Sequence, residues 1–147
     1  MSYKIFEYDP ALIPYRADIL LRMDNYAKKK KALVGEDGHL CDFANGHEYF
    51  GFHRTEDGWV YREWAPAAEA VFLTGDMNGW ETPGLRLNAL GDGIFEIFLS
   101  GRDALYNGCH VKVMILRHGQ LLERIPLYIR RVTQDPETYL WCGVISD

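Results

Sequence analysis

Cysteine is scarce in this chain of 147 residues: Cys41, Cys109 and Cys142 are an odd number, widely spaced. That excludes a disulfide-stapled scaffold and fits reduced thiols. The five histidines (His39, His47, His53, His110 and His118) form no H-x-x-x-H pair and no Cys/His cluster, so no metal ligand set and no cofactor is expected. No apolar run approaches the ~18 residues of a membrane span. Nor does an apolar stretch follow Met1-Ser2-Tyr3-Lys4 as a secretory leader would. A cytoplasmic protein without a membrane partner is the expectation. Basic charge is lacking too. Sixteen Lys and Arg against 21 Asp and Glu leave a net charge of −5, which argues against a nucleic-acid binder. The one basic run, Lys28 to Lys31, reads as the solvated end of a helix, where cations complement the C-terminal dipole. Internal repeats and low-complexity tracts are absent.

What is present is enough for one domain with a real core: 48% hydrophobic and 25% charged residues over a length too short for two ordinary domains. Residues 1–46 read as a helical segment. Asp9-Pro10 supplies an acidic N-cap and a proline at the first helical position, with Pro14 a second start. Leu12, Tyr15, Ile19, Met23 and Tyr26 then recur at helical spacing, widened by Leu20 and Ala27, until Gly35 stops the helix. A stripe that wide is expected to pack against the β-region that follows or against a further domain.

From His47 the signals are β to the end, residues 47–147. Tyr49 to Arg54 and Trp59 to Trp64 flank Thr55-Glu56-Asp57-Gly58, a hairpin whose glycine suits a positive φ. Strands are expected at 70–74 and 94–99, at 111–116 and 120–125 around Arg117-His118-Gly119, and at 139–145. Seven or so short strands with a turn about every ten residues predict a two-sheet sandwich. Tyr49, Phe50 and Phe52 are expected in its core.

The densest information lies in Tyr61-Arg62-Glu63-Trp64-Ala65-Pro66 and in Val71-Phe72-Leu73-Thr74-Gly75-Asp76-Met77-Asn78-Gly79-Trp80. The second run is a buried-type strand stopped by Gly75-Asp76 and Asn78-Gly79, which leaves Trp80 on a tight turn at the lip of a sheet. An indole there offers a flat apolar face with a polar edge, which suits a sugar ring. These runs resemble the N-terminal module of glycogen and starch branching enzymes, in the α-amylase superfamily. So do Glu48 to Arg54, His110-Val111-Lys112-Val113, Arg124-Ile125-Pro126 and Arg130 to Thr138, which follow in the family's order.

The resemblance implies an all-β, immunoglobulin-like β-sandwich preceded by an N-terminal α-helix, with glucan binding as its work. It implies Trp80 as a stacking platform, Lys112 as a hydroxyl donor and Asn78 as turn former and polar contact. Trp64 and Trp141 are expected to pack at a domain interface. The implied partners are an α-glucan, glycogen or a maltooligosaccharide, and a catalytic barrel in cis. Branching is a retaining reaction that needs two carboxyl groups about 5 Å apart, carried in this superfamily on a barrel of about 250 residues. No such barrel fits here, so the chain is expected to be catalytically silent, the N-terminal part of a larger enzyme. The family's tight binders carry a second tryptophan near Gly119-Gln120-Leu121, where this chain has Leu121. One platform and one lysine imply weak binding, about millimolar or ~−4 kcal/mol. The alternatives are a purely structural domain and a free-standing regulatory glycogen-binding module.

Overall fold

The structure, a computed structural model, describes residues 3–146. The chain divides into two compact units, Met1–Asn45 and Gly46–Asp147. The first is helical: α1 (Ile5–Tyr8), a 3-10 segment (Pro10–Tyr15), α2 (Arg16–Val34) and α3 (Leu40–Phe43). The Asp9 carboxylate accepts the Ala11 amide at 3.1 Å, as its N-cap position predicts. The expected single helix from Pro10 is corrected, however. Pro14 lacks the amide proton an α-helix would use, and its ring crowds the preceding turn. The segment therefore winds as 3-10, and α2 begins only at Arg16. Gly35, at φ +77°, ends α2 where the sequence placed the stop. No residue of α2 is buried.

The second unit opens with a helical turn, α4 (Gly46–Tyr49). Ten strands follow: β1 (Gly51–Arg54), β2 (Gly58–Trp64), β3 (Ala70–Gly75), β4 (Leu85–Arg86), β5 (Asn88–Gly91), β6 (Ile94–Ser100), β7 (His110–Arg117), β8 (Gln120–Arg124), β9 (Arg131–Gln134) and β10 (Trp141–Val144). One antiparallel sheet runs β1-β2-β6-β5; the other runs β4-β3-β7-β10-β9. β8 takes the outer half of the β7 edge whose inner half pairs with β10. Inward residues of both sheets, including Tyr61, Phe95 and Leu99 from one and Val71, Leu73, Val111 and Val113 from the other, form a single apolar core. This is an immunoglobulin-like β-sandwich following helical segments.

Two local readings are corrected. β1 starts at Gly51, not Tyr49, because Gly51 sits at φ +90°, which breaks the extended run. Tyr49 is consequently surface, 41% exposed, with the Arg62 guanidinium 4.4 Å over its ring. Gly58 does not adopt a positive φ. A β-carbon on it would meet the Leu99 carbonyl oxygen, so glycine is required there by close backbone approach.

Glu63 is completely buried in β2. Its carboxylate accepts the Tyr61 hydroxyl, the Arg124 guanidinium and the Leu127 amide, the last at 2.9 Å. Burial first, and then the neighbouring Glu63 charge, hold the Tyr61 hydroxyl well above its usual pKa, so it stays a proton donor. Arg124 also reaches the Trp64 carbonyl at 3.0 Å. Together these bonds fasten the segment after β8 to β2.

Candidate functional site

β3 ends in a turn that the sequence spells residue by residue. Asp76–Asn78 form one 3-10 turn, and Gly79 adopts the left-handed conformation at φ +64°. Trp80 follows at φ +62°, a region a non-glycine residue enters only when held. It is held at both ends: its amide donates to the Gly75 carbonyl at 2.9 Å, and its indole Nε1 donates to Asp76 Oδ1 at 2.9 Å. The ring is 40% exposed.

Asn78 builds the turn from beneath. Its side-chain oxygen accepts the Gly75 amide (2.9 Å) and the Thr74 hydroxyl (3.2 Å), and its Nδ2 donates to the Glu81 carbonyl (3.2 Å). One Nδ2 hydrogen remains beyond these bonds, so the structural part of its expected role dominates.

Lys112 lies on β7 in register with Thr74 of β3. On its other side, one step along from the Gly143–Val111 pair, stands Cys142 of β10, which pairs with Thr133 of β9. Thr74, Lys112, Cys142 and Thr133 thus form one row across the outer face of the sheet. Lys112 is 8% exposed, and its Nζ donates to Glu123 Oε2 at 2.7 Å. Trp80 and Lys112 both line a groove of about 270 Å³ over this row, with Thr82, Met114, Thr138 and Leu140. A second concavity, about 370 Å³, shares Trp80, Asp135 and Cys142 with this groove and is lined further by Asp76, His110, Thr133 and Gln134. The structure therefore brings Trp80 and Lys112 together in one groove with Asn78 supporting the turn.

Neither Trp64 nor Trp141 lines this groove, and the two belong to different sheets. Trp64 ends β2 in one sheet, its Nε1 donating to the Asp92 carbonyl at 3.2 Å; Trp141 begins β10 in the other. They are 50% and 51% exposed. Trp59, by contrast, is core and donates to the Arg102 carbonyl at 3.1 Å.

The residue sequence reasoning missed is Asp76, read there only as a turn former. Its Oδ1 takes the Trp80 indole; its Oδ2 takes the His110 amide (2.8 Å), the His110 ring Nδ1 (3.2 Å) and, at 3.4 Å, the Tyr106 hydroxyl. Burial alone would raise its pKa, but the hydrogen bonds from the His110 amide, the Trp80 indole and the His110 ring outweigh that and hold the carboxyl below its usual range. The sole sequence signal was position: an Asp four residues before the exposed indole.

Asp135 does similar work across the groove. Its Oδ1 accepts the Thr138 amide (2.7 Å), the Thr138 hydroxyl (2.9 Å) and the Glu137 amide (3.0 Å), bonds that lower its pKa and shape the β9–β10 loop. Cys142 is kept a neutral thiol, chiefly by burial. The groove offers an apolar ring face, amides, hydroxyls, carboxylates and one ammonium. That set suits a polyhydroxylated ligand; Glu63, the most deeply buried acid, lines neither concavity.

Comparison with known proteins bears on the family and the fold. The sequence pattern of carbohydrate-binding module 48 (isoamylase N-terminal domain) matches residues 49–136. Among curated relatives, the 1,4-alpha-glucan-branching enzyme of Dictyostelium discoideum is 36% identical over 96% of this chain and 22% of its own length. The 1,4-alpha-glucan-branching enzyme of Emericella nidulans is 38% identical over 89% of the chain and 20% of its length. The chain thus spans about a fifth of the relatives it matches. Among solved structures, a pullulanase from Anoxybacillus sp. LM18-11 complexed with maltotetraose superposes with a TM-score of 0.54 at 16% identity, over 80% of this chain and 15% of that one. Pullulanase type I from Bacillus subtilis, complexed with maltose, gives 0.53 at 19% identity, over 81% and 14%. These two likenesses establish the fold.

Proposed function

This chain belongs to the carbohydrate-binding module 48 family, and we propose that it is the N-terminal α-glucan-binding and barrel-supporting module of a 1,4-α-glucan (glycogen) branching enzyme. The parent transfers α-1,4-linked segments into α-1,6 branches; the share of that work done here is to hold the glucan chain. One observation carries this reading. Trp80 presents an exposed indole face, locked in place through its N–H, at the edge of a groove that also contains the Lys112 ammonium. The sugar's C–H face stacks on the ring while its hydroxyls meet Lys112, Asn78 and the threonines of the sheet face. Lys112 is already paired with Glu123, so a hydroxyl joins an existing ion pair, which keeps its contribution small.

Trp64 and Trp141 supply the support half of the proposal. Half-exposed tryptophans on two sheets are suited to burial by the catalytic barrel in cis.

Heteronuclear NMR titration of the isolated chain with maltoheptaose tests the binding half, with Trp80→Ala alongside. The expected result is saturable shifts at millimolar sugar, absent in the variant. A wild-type chain that shows none leaves only a structural domain.

A further inference from the structure

The Asp76 carboxylate holds a second aromatic ring. Tyr106, in the loop between β6 and β7, directs its hydroxyl to Oδ2, while the Trp80 indole meets Oδ1. Two rings are thus tied by their polar edges to the two oxygens of one carboxylate. Two hydrogen-bond lengths across a carboxylate keep those polar atoms within about 9 Å of each other. Both rings belong to the surface: Tyr106 is 54% exposed and Trp80 40%. The tether itself is steady, because the amide and ring of His110 bind the oxygen that Tyr106 shares.

At 54% exposure Tyr106 contributes little apolar burial to the fold, and a tyrosine ring presents an apolar face of the kind that receives a sugar's C–H surface. Beside Asp76, the second concavity, which Trp80 lines and Lys112 does not, offers the groups that pair with sugar hydroxyls: the Thr133 hydroxyl, the Gln134 amide and the Asp135 carboxylate. The Gln134 amide nitrogen is itself directed to the Tyr139 carbonyl at 3.0 Å, so its carbonyl oxygen is the group available to a hydroxyl.

We propose that Tyr106 is a second hexose-stacking surface, set beside Trp80 by the Asp76 carboxylate that both rings share, so that an α-glucan runs past Trp80 from the Lys112 side to the His110 side. This extension rests on Trp80 being a glucan platform. It supplies the second stacking ring that Leu121 cannot, from a residue tied to Asp76 rather than from the β7–β8 turn. It also makes affinity depend on chain length: maltose covers one ring, whereas a longer oligosaccharide reaches both.

The test compares wild type, Tyr106→Ala, Tyr106→Phe and Trp80→Ala, each titrated with maltose and with maltoheptaose, after thermal unfolding has shown each variant folded. Loss of one stacked ring is expected to weaken maltoheptaose binding to Tyr106→Ala about three- to tenfold. Maltose binding should stay within about twofold, and Tyr106→Phe, which keeps the ring but loses its bond to Asp76, should bind maltoheptaose with an affinity between those of wild type and Tyr106→Ala. Nuclear Overhauser contacts from sugar protons to the Tyr106 ring accompany this in wild type. Wild-type maltoheptaose affinity in Tyr106→Ala, with binding lost in Trp80→Ala, overturns the second surface and leaves the first standing. Equal losses for both sugars in Tyr106→Ala also overturn it, since Tyr106 would then act only through Asp76 on Trp80. If Trp80→Ala binds as wild type does, the Trp80 reading itself falls and the extension with it.

Discussion

Glu63 and Asp76 are both carboxylates that gather donors from distant parts of the chain, and they use them to opposite ends. Glu63 is sealed in the sandwich, where Tyr61, Arg124 and the Leu127 amide consume its acceptor capacity and pin one loop to β2. Asp76 stands at the lip of the other sheet, and two of its partners, Trp80 and Tyr106, keep their rings in solvent. A buried acid with all its donors satisfied fixes a fold. A half-exposed acid that binds aromatic edges fixes a surface. The same chemistry pins a loop in one place and, in the other, holds the rings proposed above as a recognition surface; only the fate of the donors distinguishes them.

Substitutions at each site sharpen that contrast. Glu63→Gln puts an amide NH2 among the donors that Tyr61, Arg124 and the Leu127 amide aim at a fully buried carboxylate, and a loss of about 2–3 kcal/mol is expected in denaturant unfolding. Gly58→Ala forces a methyl group against the Leu99 carbonyl oxygen and should destabilise by about 1–3 kcal/mol, with glucan binding unchanged. Trp80→Ala shows the reverse pattern: affinity for maltoheptaose falls at least about tenfold, or 1.4 kcal/mol, while the melting temperature barely moves. Asp76→Ala falls between the two, because it frees the indole and orphans the His110 amide; a stability loss of about 1–2 kcal/mol accompanies weaker binding. The smallest effect concerns pH. The Asp76 and Asp135 carboxyls have depressed pKa values in the folded protein. Their contributions are therefore complete above the unfolded value of about 4 and fade as pH falls through the folded values. Melting temperatures from pH 7 to 3 should drop less steeply in Asp76→Asn than in wild type.

Much of this was legible in the chain. Turn chemistry announced the Gly75–Trp80 loop, and apolar runs announced β2, β3, β6, β7 and β8, because those strands run to between five and eight residues and carry their apolar residues locally. β4, β5 and β9 escaped notice: two to four largely exposed residues carry no periodic signal. The 3-10 segment before α2 was hidden because Pro14 reads equally as a helix start and a helix breaker. Trp80 and Lys112 could be named as partners only through the family resemblance, since their meeting depends on the pairing of β3 with β7. The role of Asp76 was invisible for a related reason. Its partner His110 stands 34 residues away, and nothing local distinguishes a turn aspartate from one that holds an indole.

The most direct test follows the indole N–H resonances of the four tryptophans while maltoheptaose is added. Each reports a different place: Trp59 the core, Trp64 and Trp141 the half-exposed faces of the two sheets, Trp80 the groove. The account predicts that the Trp80 resonance moves saturably while the other three hold still. Movement of Trp64 or Trp141 with Trp80 unchanged, or no movement of any indole, would contradict it.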